Sequence, residues 1–344
     1  MSATTRELRL ASRPQGEPTA ASFELAETPI PEPGPGQVLI RNSYLSVDPY
    51  MRGRMRDVKS YVPPYELGAA LDGGAVGQVI ASNDGPFEEG AWVQHLGGWR
   101  EHALSDGALA YRVDPALAPI STSLGVLGMP GLTAYAGLTE IAPTAEGETV
   151  YVSAAAGAVG SAAGQIARLR GCRVVGSAGS PEKVEWLTGE LGFDAAFDYR
   201  EHDVATALRE HCPKGIDVYF DNVGGDHLSA ALARMRTFGR IALCGAVSQY
   251  NEERPQPGPD NFVAVLVRRL RIRGFIVFDH GDLMRPFLEE VGAWVRSGEL
   301  RYRETIVDGL ESMPSAFVGL LGGDNIGKML VRVGPDPDPP ATTA

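Results

Sequence analysis

The sequence predicts an α/β protein of two domains, one rich in β-strands and one built on a doubly wound parallel sheet. From residue 8 to about residue 113, short apolar runs alternate with clusters of Pro and Gly, which is typical of an all-β domain with long connections. After Pro130, short apolar runs alternate with helical stretches, which indicates parallel strands joined by right-handed crossovers. The 344 residues are enough for about two domains, each with its own core.

The individual elements follow from the local sequence. In the first domain, residues 37–41 and 75–81 are rich in Val and Ile and are bounded by Gly or Pro, so both predict strands. Between the second and third strands predicted for the second domain, Ser180 suits a helix N-cap, Pro181 the first helical position and Gly192 the end of the helix. The six strands predicted for that domain are residues 149–153, 173–177, 195–199, 216–222, 240–245 and 271–277.

The strand pattern returns near the end of the chain, at residues 302–307 and 328–333. We therefore expect the β-rich domain to contain both ends of the chain, with the other domain inserted between them. The predicted boundaries are 1–128 for the first part of the β-rich domain, 129–299 for the inserted domain and 300–333 for the return. Residues 334–344 are rich in Pro and Asp and predict a disordered tail.

Charge and composition limit the class of partner. The chain carries 31 Lys and Arg against 43 Asp and Glu, a formal charge of -12, which disfavours nucleic acid and anionic membrane surfaces. No apolar run approaches the ~18 residues of a membrane-spanning helix, and the first ten residues lack the apolar segment of a signal peptide. The three cysteines, Cys172, Cys212 and Cys244, lie far apart, which favours a reducing compartment. We expect a soluble cytoplasmic protein.

A glycine-containing turn follows the first strand of the inserted domain. Set against the dinucleotide-binding pattern G-x-G-x-x-G, the turn has Ala155, Gly157 and Gly160, so only the first glycine is replaced. Gly157 would let the backbone approach a pyrophosphate, and Gly160 would let the following helix pack against its strand. The N-terminus of that helix would supply N–H donors and a positive dipole end. The alternative is a tight strand-to-helix turn without a ligand.

The end of the second strand of this domain indicates which dinucleotide is bound. An NAD-specific site places an Asp or Glu there to bind the ribose 2'-hydroxyl, but residues 175–180 contain no acid. Lys183, on the first turn of the next helix, could reach a 2'-phosphate instead. Both features favour NADP(H) over NAD(H), although a solvated surface lysine has the same spacing.

The residues available for catalysis exclude several chemistries. A structural zinc lobe needs four closely spaced cysteines, and a catalytic zinc needs a thiolate from the β-rich domain, but no cysteine precedes Cys172. We therefore expect no metal site, and direct alcohol oxidation has no evident catalyst. Hydride addition to an electron-poor C=C bond is less demanding, since the conjugated carbonyl delocalises the incoming charge as an enolate. It needs a positioned nicotinamide, hydrogen-bond donors near the enolate oxygen and a proton source.

Eight stretches of the chain resemble one family, the zinc-independent medium-chain dehydrogenases and reductases. Within it they are most similar to the prostaglandin reductases, leukotriene 12-hydroxydehydrogenases, plant alkenal double-bond reductases and bacterial NADPH-dependent curcumin reductase. The match runs in order from about Ser43 to Val333. The stretches are residues 44–55 (YLSVDPYMRGRM), 124–138 (LGVLGMPGLTAYAGL), 154–161 (AAAGAVGS), 171–183 (GCRVVGSAGSPEK), 215–225 (GIDVYFDNVGG), 239–251 (GRIALCGAVSQYN), 273–279 (RGFIVFD) and 323–328 (GDNIGK).

The resemblance implies a GroES-like β domain, a Rossmann domain and a homodimer. It also implies the activity, the NADPH-dependent reduction of the C=C bond of α,β-unsaturated ketones and aldehydes, of the EC 1.3.1 type. In this reaction a hydride reaches the β-carbon and the enolate is then protonated. An exposed edge at the sixth strand, residues 271–277, would suit antiparallel pairing in the dimer.

Site residues carried over from the family fall into groups by the part of the cofactor they would contact. Gly157, Ala158, Val159 and Gly160 would bind the pyrophosphate, Lys183 and Tyr199 the 2'-phosphate end, and Asn222 the ribose or pyrophosphate. The nicotinamide half would be bound by Cys244, Gly245, Ala246, Val247, Ser248 and Tyr250, the carboxamide by backbone groups of Phe275, Ile276 and Val277, and Asn325 would close over the cofactor. For Phe275, Ile276 and Val277 the alternative is an ordinary buried strand.

Three tyrosines are candidates near the chemistry. In the relatives, the tyrosine that matches Tyr250 lies by the nicotinamide ribose, where it would orient the 2'-hydroxyl toward the enolate oxygen. Tyr61 matches a tyrosine near the substrate entrance of the bacterial curcumin reductases, as a proton donor or enolate partner, and Tyr50 lies in the matching stretch around Asp48. Each could instead be a packing residue.

Two other functions are compatible with the same residues. One is an NADPH quinone oxidoreductase, and the other is an NADPH-binding protein without turnover, as in crystallin-like relatives. Residues 58–74 follow the bacterial pattern, which disfavours a prostaglandin substrate.

Overall fold

The computed structural model describes residues 3–254 and 256–337. It divides the chain into a β-rich unit, residues 1–124 and 304–344, and a second unit, residues 125–303. The divisions at 124 and 303 lie close to the predicted boundaries at 128 and 299. Among the described helices, none combines the length and the apolar character that crossing a membrane would require.

The strands, in chain order, are β1 Thr4–Leu10, β2 Phe23–Pro29, β3 Gln37–Ser46, β4 Ala75–Asn83, β5 Trp92–His95, β6 His102–Ser105, β7 Tyr111–Arg112, β8 Thr149–Val152, β9 Arg173–Ala178, β10 Ala195–Asp198, β11 Ile216–Asp221, β12 Met235–Leu243, β13 Arg271–Gly274, β14 Glu304–Asp308 and β15 Lys328–Arg332. The α-helices are α1 Met51–Arg54, α2 Met129–Ala136, α3 Ala158–Leu169, α4 Pro181–Glu185, α5 Val204–His211, α6 Gly225–Arg234, α7 Val263–Val267, α8 Met284–Ser297 and α9 Met313–Gly322. Helices α2 and α4 continue as π-helical turns at Gly137–Ile141 and Trp186–Glu190.

The β-rich unit contains a seven-stranded sheet in the order β14-β15-β3-β4-β5-β7, with β6 paired to β3, and a two-stranded sheet of β1 and β2. All pairings between these strands are antiparallel except that of β14 with β15. Its main core forms around Trp99, whose ring stacks on Phe23 at 5.5 Å between centroids and meets Phe317 edge-on at 5.9 Å. Such aromatic packing supplies much of the buried apolar area of a β-rich core.

The second unit contains a six-stranded parallel sheet in the order β10-β9-β8-β11-β12-β13. The order reverses between β8 and β11, and in doubly wound sheets the crevice at the carboxyl ends of such strands is where ligands bind. Its core includes Tyr151, stacked on Tyr219 at 4.8 Å and on Phe197 at 6.2 Å. This unit and its sheet confirm the predicted fold class.

The predicted elements agree with the observed ones in type. All six strands predicted for the second unit are present, and Ser180 caps α4 by accepting a hydrogen bond from the backbone N–H of Lys183. The sixth strand is shorter than predicted: β13 ends at Gly274 because its partner β12 ends at Leu243, which lies opposite Gly274.

The segment predicted as a disordered tail begins with bonded residues. The Ser43 hydroxyl donates a hydrogen bond to the Pro335 carbonyl at 2.6 Å, and the Tyr44 hydroxyl donates to the Asp336 carboxylate at 2.7 Å. Residues 338–344 of that segment lie outside the described residues.

Candidate functional site

The turn between β8 and α3 lies at the point where the strand order reverses. Its first residues fold back tightly: Ala154 has a φ of +47°, and the N–H of Gly157 bonds to the Ala154 carbonyl at 3.0 Å. A Cβ atom at Gly160 would lie 2.4 Å from the Ala154 carbonyl oxygen and 2.8 Å from Ala155 Cα. No side chain fits there, so Gly160 is required for α3 to pack on the turn, as the sequence predicts.

Gly157 has a different environment. A Cβ atom there would have one neighbour within 4 Å, the Ala154 carbonyl oxygen at 3.3 Å. The space beside Gly157 is therefore open, and Ala158 and Val159, the first residues of α3, are half-buried next to it. Because the first N–H groups of a helix have no partner inside the helix, this turn has the donors and the room that a pyrophosphate group needs.

The loop after β9 lies against one of the residues predicted for a 2'-phosphate, Tyr199, and leads to the other, Lys183. A Cβ atom at Gly179 would lie 3.0 Å from the Tyr199 hydroxyl, so the Tyr199 ring borders the loop that leads to Lys183. The guanidinium of Arg200 lies 6.0 Å from the centroid of the Tyr199 ring and places a second cationic residue in this region. In the sequence, the one sign of a role for Arg200 is its position two residues after the end of β10.

The Tyr199 ring also contacts a buried histidine. His227, on α6, meets it edge-on at 5.2 Å between centroids. The imidazole is 6% exposed, its Nε2 atom has no hydrogen-bond partner, and burial lowers the pKa of His227 to about 4. A neutral imidazole thus supports one side of Tyr199.

The turn after β11 is organised by a buried carboxylate that sequence reasoning missed. Asp221 is fully buried, and its Oδ1 accepts hydrogen bonds from the N–H groups of Val223 and Gly224 and from the Tyr219 hydroxyl, at 2.9, 2.8 and 2.7 Å. Burial raises the pKa of Asp221. Its neighbour Asn222, predicted to bind the ribose or pyrophosphate, uses its side-chain amide to donate to the Ser153 carbonyl at 2.8 Å.

The segment after β12 continues from this turn. The N–H groups of Cys244 and Gly245 donate to the Asp221 carbonyl at 2.8 and 3.0 Å, and the N–H of Val247 donates to the Asn222 carbonyl at 3.2 Å. Burial and the nearby Asp221 raise the pKa of the Cys244 thiol to about 12, so the thiol stays protonated.

Tyr250 folds back onto the same segment. Its hydroxyl oxygen accepts a hydrogen bond from the N–H of Ala246 at 3.5 Å, and a Cβ atom at Gly245 would lie 3.3 Å from that oxygen. Burial raises the pKa of Tyr250, which keeps the phenol neutral and able to donate a hydrogen bond.

A cavity of about 1160 Å³ lies beside these segments in the second unit. It is bordered by seven of the predicted cofactor-binding residues. The first turn of α6 borders it as well, and so do residues 256–260, which sequence reasoning missed. The seven predicted residues are Cys244, Gly245, Ala246, Ser248, Tyr250, Phe275 and Ile276.

Residues 275–277 follow the sheet instead of forming its sixth strand. Phe275 and Ile276 come after the end of β13 and border the cavity, while Val277 begins a 3-10 helix at Val277–Leu283. The Phe275 ring packs edge-on against Phe220, at 6.4 Å between centroids. The alternative of a buried strand at these residues is therefore wrong, because β12 offers no partner beyond Gly274.

In the β-rich unit, Tyr50 and Tyr61 lie near each other. The pKa of Tyr50 is raised by burial, with smaller contributions from Asp48, Tyr65 and Tyr61. The Tyr61 side chain is 54% exposed. Asn325 is buried in the same unit, and its side-chain amide donates to the Gly327 carbonyl at 2.7 Å. The predicted contacts of these three residues with substrate or cofactor stay predictions.

Across residues 3–254 and 256–337, no group of three or more His, Cys, Asp or Glu side chains is placed to hold a metal ion. The three cysteines have free thiols.

Two family models match the chain. The N-terminal domain of oxidoreductase matches residues 6–113, and a model described as zinc-binding dehydrogenase matches residues 158–292. The second description names the wider family, and it does not change the observation on metal-binding side chains.

Several curated proteins match almost the full chain. The NADPH-dependent curcumin reductase of Escherichia coli is 47% identical over 95% of this chain and 96% of that protein. A 2-alkenal reductase (NADP(+)-dependent) of Nicotiana tabacum is 44% identical and prostaglandin reductase 1 of Rattus norvegicus is 46% identical, each over 92% of this chain and 96% of the relative. The crystal structure of CurA from Vibrio vulnificus in complex with NADPH matches with a TM-score of 0.92 and 46% identity, over 96% of this chain and 99% of that one.

Proposed function

The chain belongs to the zinc-independent medium-chain dehydrogenases and reductases, in the group of the curcumin, 2-alkenal and prostaglandin reductases, and from this we propose that it uses NADPH to reduce the C=C bond of α,β-unsaturated ketones and aldehydes. These relatives are named for different substrates, curcumin, a 2-alkenal and a prostaglandin, and all three are named as reductases. The chain matches a solved NADPH complex over nearly its full length, which supports NADPH as the cofactor.

The observation that carries the proposal is the pair of glycines after β8. Gly160 has no room for a Cβ atom, whereas Gly157 faces open space at the N-terminus of α3. This combination suits a group that must approach the backbone closely, and the pyrophosphate of a dinucleotide is such a group. The residues present therefore fit NADPH.

The choice of NADPH over NADH is supported by the loop after β9. Residues 178–180 of this loop carry no carboxylate that could bind a ribose 2'-hydroxyl. Lys183 and Tyr199 border it, and both would contact the 2'-phosphate. Asn222 and residues 244–248 would bind the ribose and nicotinamide half, with backbone groups of residues 275–277 at the carboxamide and Asn325 closing the site.

When bound, NADPH supplies the hydride that adds to the β-carbon of the substrate. The role of Tyr250 is to donate a hydrogen bond, because its raised pKa keeps the phenol protonated at neutral pH. Through the ribose hydroxyl it would stabilise the charge that develops on the carbonyl oxygen of the substrate. Tyr61 or water would then protonate the α-carbon, and Tyr50 would contact the substrate.

The activity is tested by following NADPH absorbance with three substrates, 4-phenyl-3-buten-2-one, a 2-alkenal and 1,4-benzoquinone. We expect the first two to be reduced to saturated carbonyl compounds, with the C=O bond intact. Faster turnover of the quinone alone would support the quinone oxidoreductase, and tight NADPH binding without oxidation would support a non-catalytic NADPH-binding protein.

The tyrosine roles are tested by Tyr250→Phe and Tyr61→Phe. We expect a lower kcat for the enone with NADPH affinity unchanged, since the hydroxyl acts on the charge that develops during the reaction. Tyr111→Phe is the matched control, because the Tyr111 hydroxyl donates to the Ser123 carbonyl, at 3.4 Å, and this residue belongs to none of the predicted sites. Unchanged kcat in both variants would remove the two tyrosines from the mechanism.

We also propose that the protein is a homodimer. Strand β13 is the edge of the parallel sheet, and next to it α7 exposes Val263, Leu266 and Val267, which are between 62 and 76% exposed. An edge strand beside an exposed apolar helix is typical of a surface that pairs with a second copy. Light scattering is expected to give twice the chain mass for the wild type and the mass of a single chain for Leu266→Glu; a monomeric wild type would contradict the proposal.

A cytoplasmic location is proposed on the three free thiols, which are typical of a reducing compartment. Fractionation of cells that express the protein tests it, and recovery in a secreted fraction would contradict it.

A further inference from the structure

A loop of the β-rich unit carries Tyr61 at its exposed tip. We call residues 56–64 the Tyr61 loop. Val58 and Tyr61 are 56% and 54% exposed, while Tyr65, which directly follows the loop, is 3% exposed. The backbone N–H of Tyr65 donates to the Arg54 carbonyl at 2.7 Å, so the loop leaves α1 and returns to the same place.

One side chain bonds to the returning end of this loop. Arg54 Nε donates to the Pro63 carbonyl at 2.9 Å, and the Arg54 guanidinium lies 4.0 Å from the centroid of the Tyr65 ring. The Tyr65 hydroxyl donates to the Asp72 carbonyl at 2.6 Å, which fixes the ring that Arg54 covers. The Arg54 side chain is 13% exposed. Its ion-pair partner, the Asp72 carboxylate at 3.5 Å, is 54% exposed.

A second arginine joins the two ends of the loop. Arg13 donates to the Met55 carbonyl at 3.1 Å and to the Tyr65 carbonyl at 3.0 Å. The base of the loop is thus bonded at both ends. Within the loop, Arg13 makes only a long ion pair with the exposed Asp57, at 4.0 Å, whereas Arg54 bonds to the backbone at Pro63. An exposed aromatic and aliphatic tip on a fixed base is suited to contact an apolar ligand group.

Arginine is needed for this arrangement. A planar guanidinium stacks on a ring and donates a hydrogen bond in its own plane at the same time, whereas the ammonium of lysine is a point charge that cannot do both. The Arg54–Asp72 ion pair is a weak contributor, because Asp72 is exposed.

We propose that Arg54 is a positioning residue that fixes the Tyr61 loop and thereby determines how well the enzyme binds enones with a bulky β-substituent. The inference rests on the proposed enone reductase function. Arg54 acts through Val58 and Tyr61 at the tip of the loop, so its effect depends on the size of the substrate. A small enone does not need the tip for binding, while an aryl group on the β-carbon does.

The test uses Arg54→Lys with two substrates that differ by one ring, 4-phenyl-3-buten-2-one and 3-buten-2-one. We expect the KM for the aryl enone to rise about fivefold and the KM for the small enone to change less than about twofold. NADPH affinity stays unchanged. A looser Tyr61 would lower kcat by the same factor for both substrates, so the readout is the difference between the two KM changes. A merely structural role would lower the active fraction, and with it both kcat values equally, and would leave both KM values as they are.

The matched control is Arg100→Lys. Arg100 pairs with the same acid, Asp72, at 3.2 Å and donates to the Leu71 carbonyl at 2.7 Å, so it bonds to residues that follow the Tyr61 loop and not to the loop. We expect this variant to keep both KM values. An equal rise of the aryl KM in both variants would overturn the proposal, because it would indicate a general effect of the Asp72 region.

Amide hydrogen exchange separates the two proposals. Exchange in residues 56–64 is expected to be faster in Arg54→Lys than in the wild type and in Arg100→Lys, without any substrate present. If the wild type turns over no enone, the proposed function is wrong, and the exchange comparison still decides whether Arg54 fixes the loop. Unchanged exchange with an unchanged aryl KM would overturn the role of Arg54.

A second variant covers the case in which Arg54→Lys does not fold. Tyr65→Leu removes the ring on which Arg54 stacks and is expected to give the same difference between the two KM changes. Equal KM changes for both substrates would overturn the role of Arg54.

Discussion

The two glycines after β8 lead to opposite expectations for the same substitution. In Gly160→Ala, the new Cβ atom would lie 2.4 Å from the Ala154 carbonyl oxygen and 2.8 Å from Ala155 Cα, and both atoms belong to the backbone of the turn. In Gly157→Ala, the only neighbour is the Ala154 carbonyl oxygen at 3.3 Å, and the φ of -82° at Gly157 is accessible to alanine. Packing therefore requires Gly160, and only a ligand would require Gly157.

The magnitudes follow from this geometry. Overpacking costs about 1–3 kcal/mol, and each kcal/mol lowers the Tm of a unit of this size by about 2–4 °C, so we expect Gly160→Ala to lower the Tm by roughly 2–12 °C. In Gly157→Ala, the loss of a good N-cap residue destabilises the fold, while the lower entropy of the unfolded chain stabilises it. We expect the net change in the free energy of unfolding to be within about 1 kcal/mol. Its methyl group would occupy the approach of the pyrophosphate, and the expected 10- to 100-fold weaker NADPH binding corresponds to about 1.4–2.7 kcal/mol.

Thermal unfolding without ligand and calorimetric titration with NADPH measure the two effects separately. Gly189→Ala is the control, because a Cβ atom there would have no neighbour within 4 Å. The reasoning is refuted if Gly157→Ala binds NADPH like the wild type, or if Gly160→Ala keeps the wild-type Tm.

Three further predictions concern the same unit. Ala154→Gly is expected to raise the Tm by about 1–4 °C, because a φ of +47° costs alanine about 1–2 kcal/mol and the greater freedom of unfolded glycine cancels only part of this. Lys183→Ala is expected to weaken NADPH binding about tenfold or more and to leave NADH binding unchanged, since only NADPH has the 2'-phosphate. Burial lowers the pKa of His227 from 6.5 to about 4, so the folded protein keeps this imidazole neutral in a pH range where the unfolded chain protonates it. The contribution of His227 to stability is therefore complete above pH 6.5 and falls by about 3 kcal/mol as the pH falls to 4. His227→Gln is expected to remove this part of the pH dependence of unfolding in denaturant.

Each of these predictions has a control. A lower Tm for Ala154→Gly would contradict the strain at that position. Lys214→Ala, at an exposed lysine of the same unit, controls for the loss of a positive charge, and an equal loss of NADPH affinity there would remove the specific role of Lys183. His202→Gln, at an exposed position, controls for the loss of an imidazole, and a wild-type pH dependence in His227→Gln would contradict the burial argument.

The parts of the fold that were predicted correctly depend on local sequence. The glycine turn, the Ser180 N-cap and the six parallel strands each follow from residues within one segment, because backbone conformation and the period of apolar residues are local properties. The end of β13 was predicted three residues too late, since it depends on where β12 stops, and no residue within 271–277 carries that information.

The parts of the site that sequence reasoning missed depend on distant contacts. Asp221 looks like the polar end of an apolar strand, and its role appears only when the N–H groups of the next turn and the hydroxyl of Ser153, on another segment, bond to its carboxylate. The contact of His227 with Tyr199 also joins segments far apart in the chain. A chemical motif is visible in one segment, whereas the residues that support the motif come from several.

The distribution of charge explains how a chain with a net charge of -12 can bind a cofactor that bears three phosphate groups. The sheet order places the ends of β9 and β10 on one side of β8 and the ends of β12 and β13 on the other. Lys183 and Arg200 lie on the first side, where the 2'-phosphate would bind. On the second side, the described residues around the cavity include five acids and neither Lys nor Arg: Asp221, Asp226, Glu252, Asp260 and Asp279. A phosphate would be repelled from the second side, whereas the nicotinamide ring carries no phosphate and becomes cationic on oxidation. The field of the second unit therefore favours one orientation of the cofactor, with the 2'-phosphate toward β9 and β10 and the nicotinamide toward β12 and β13.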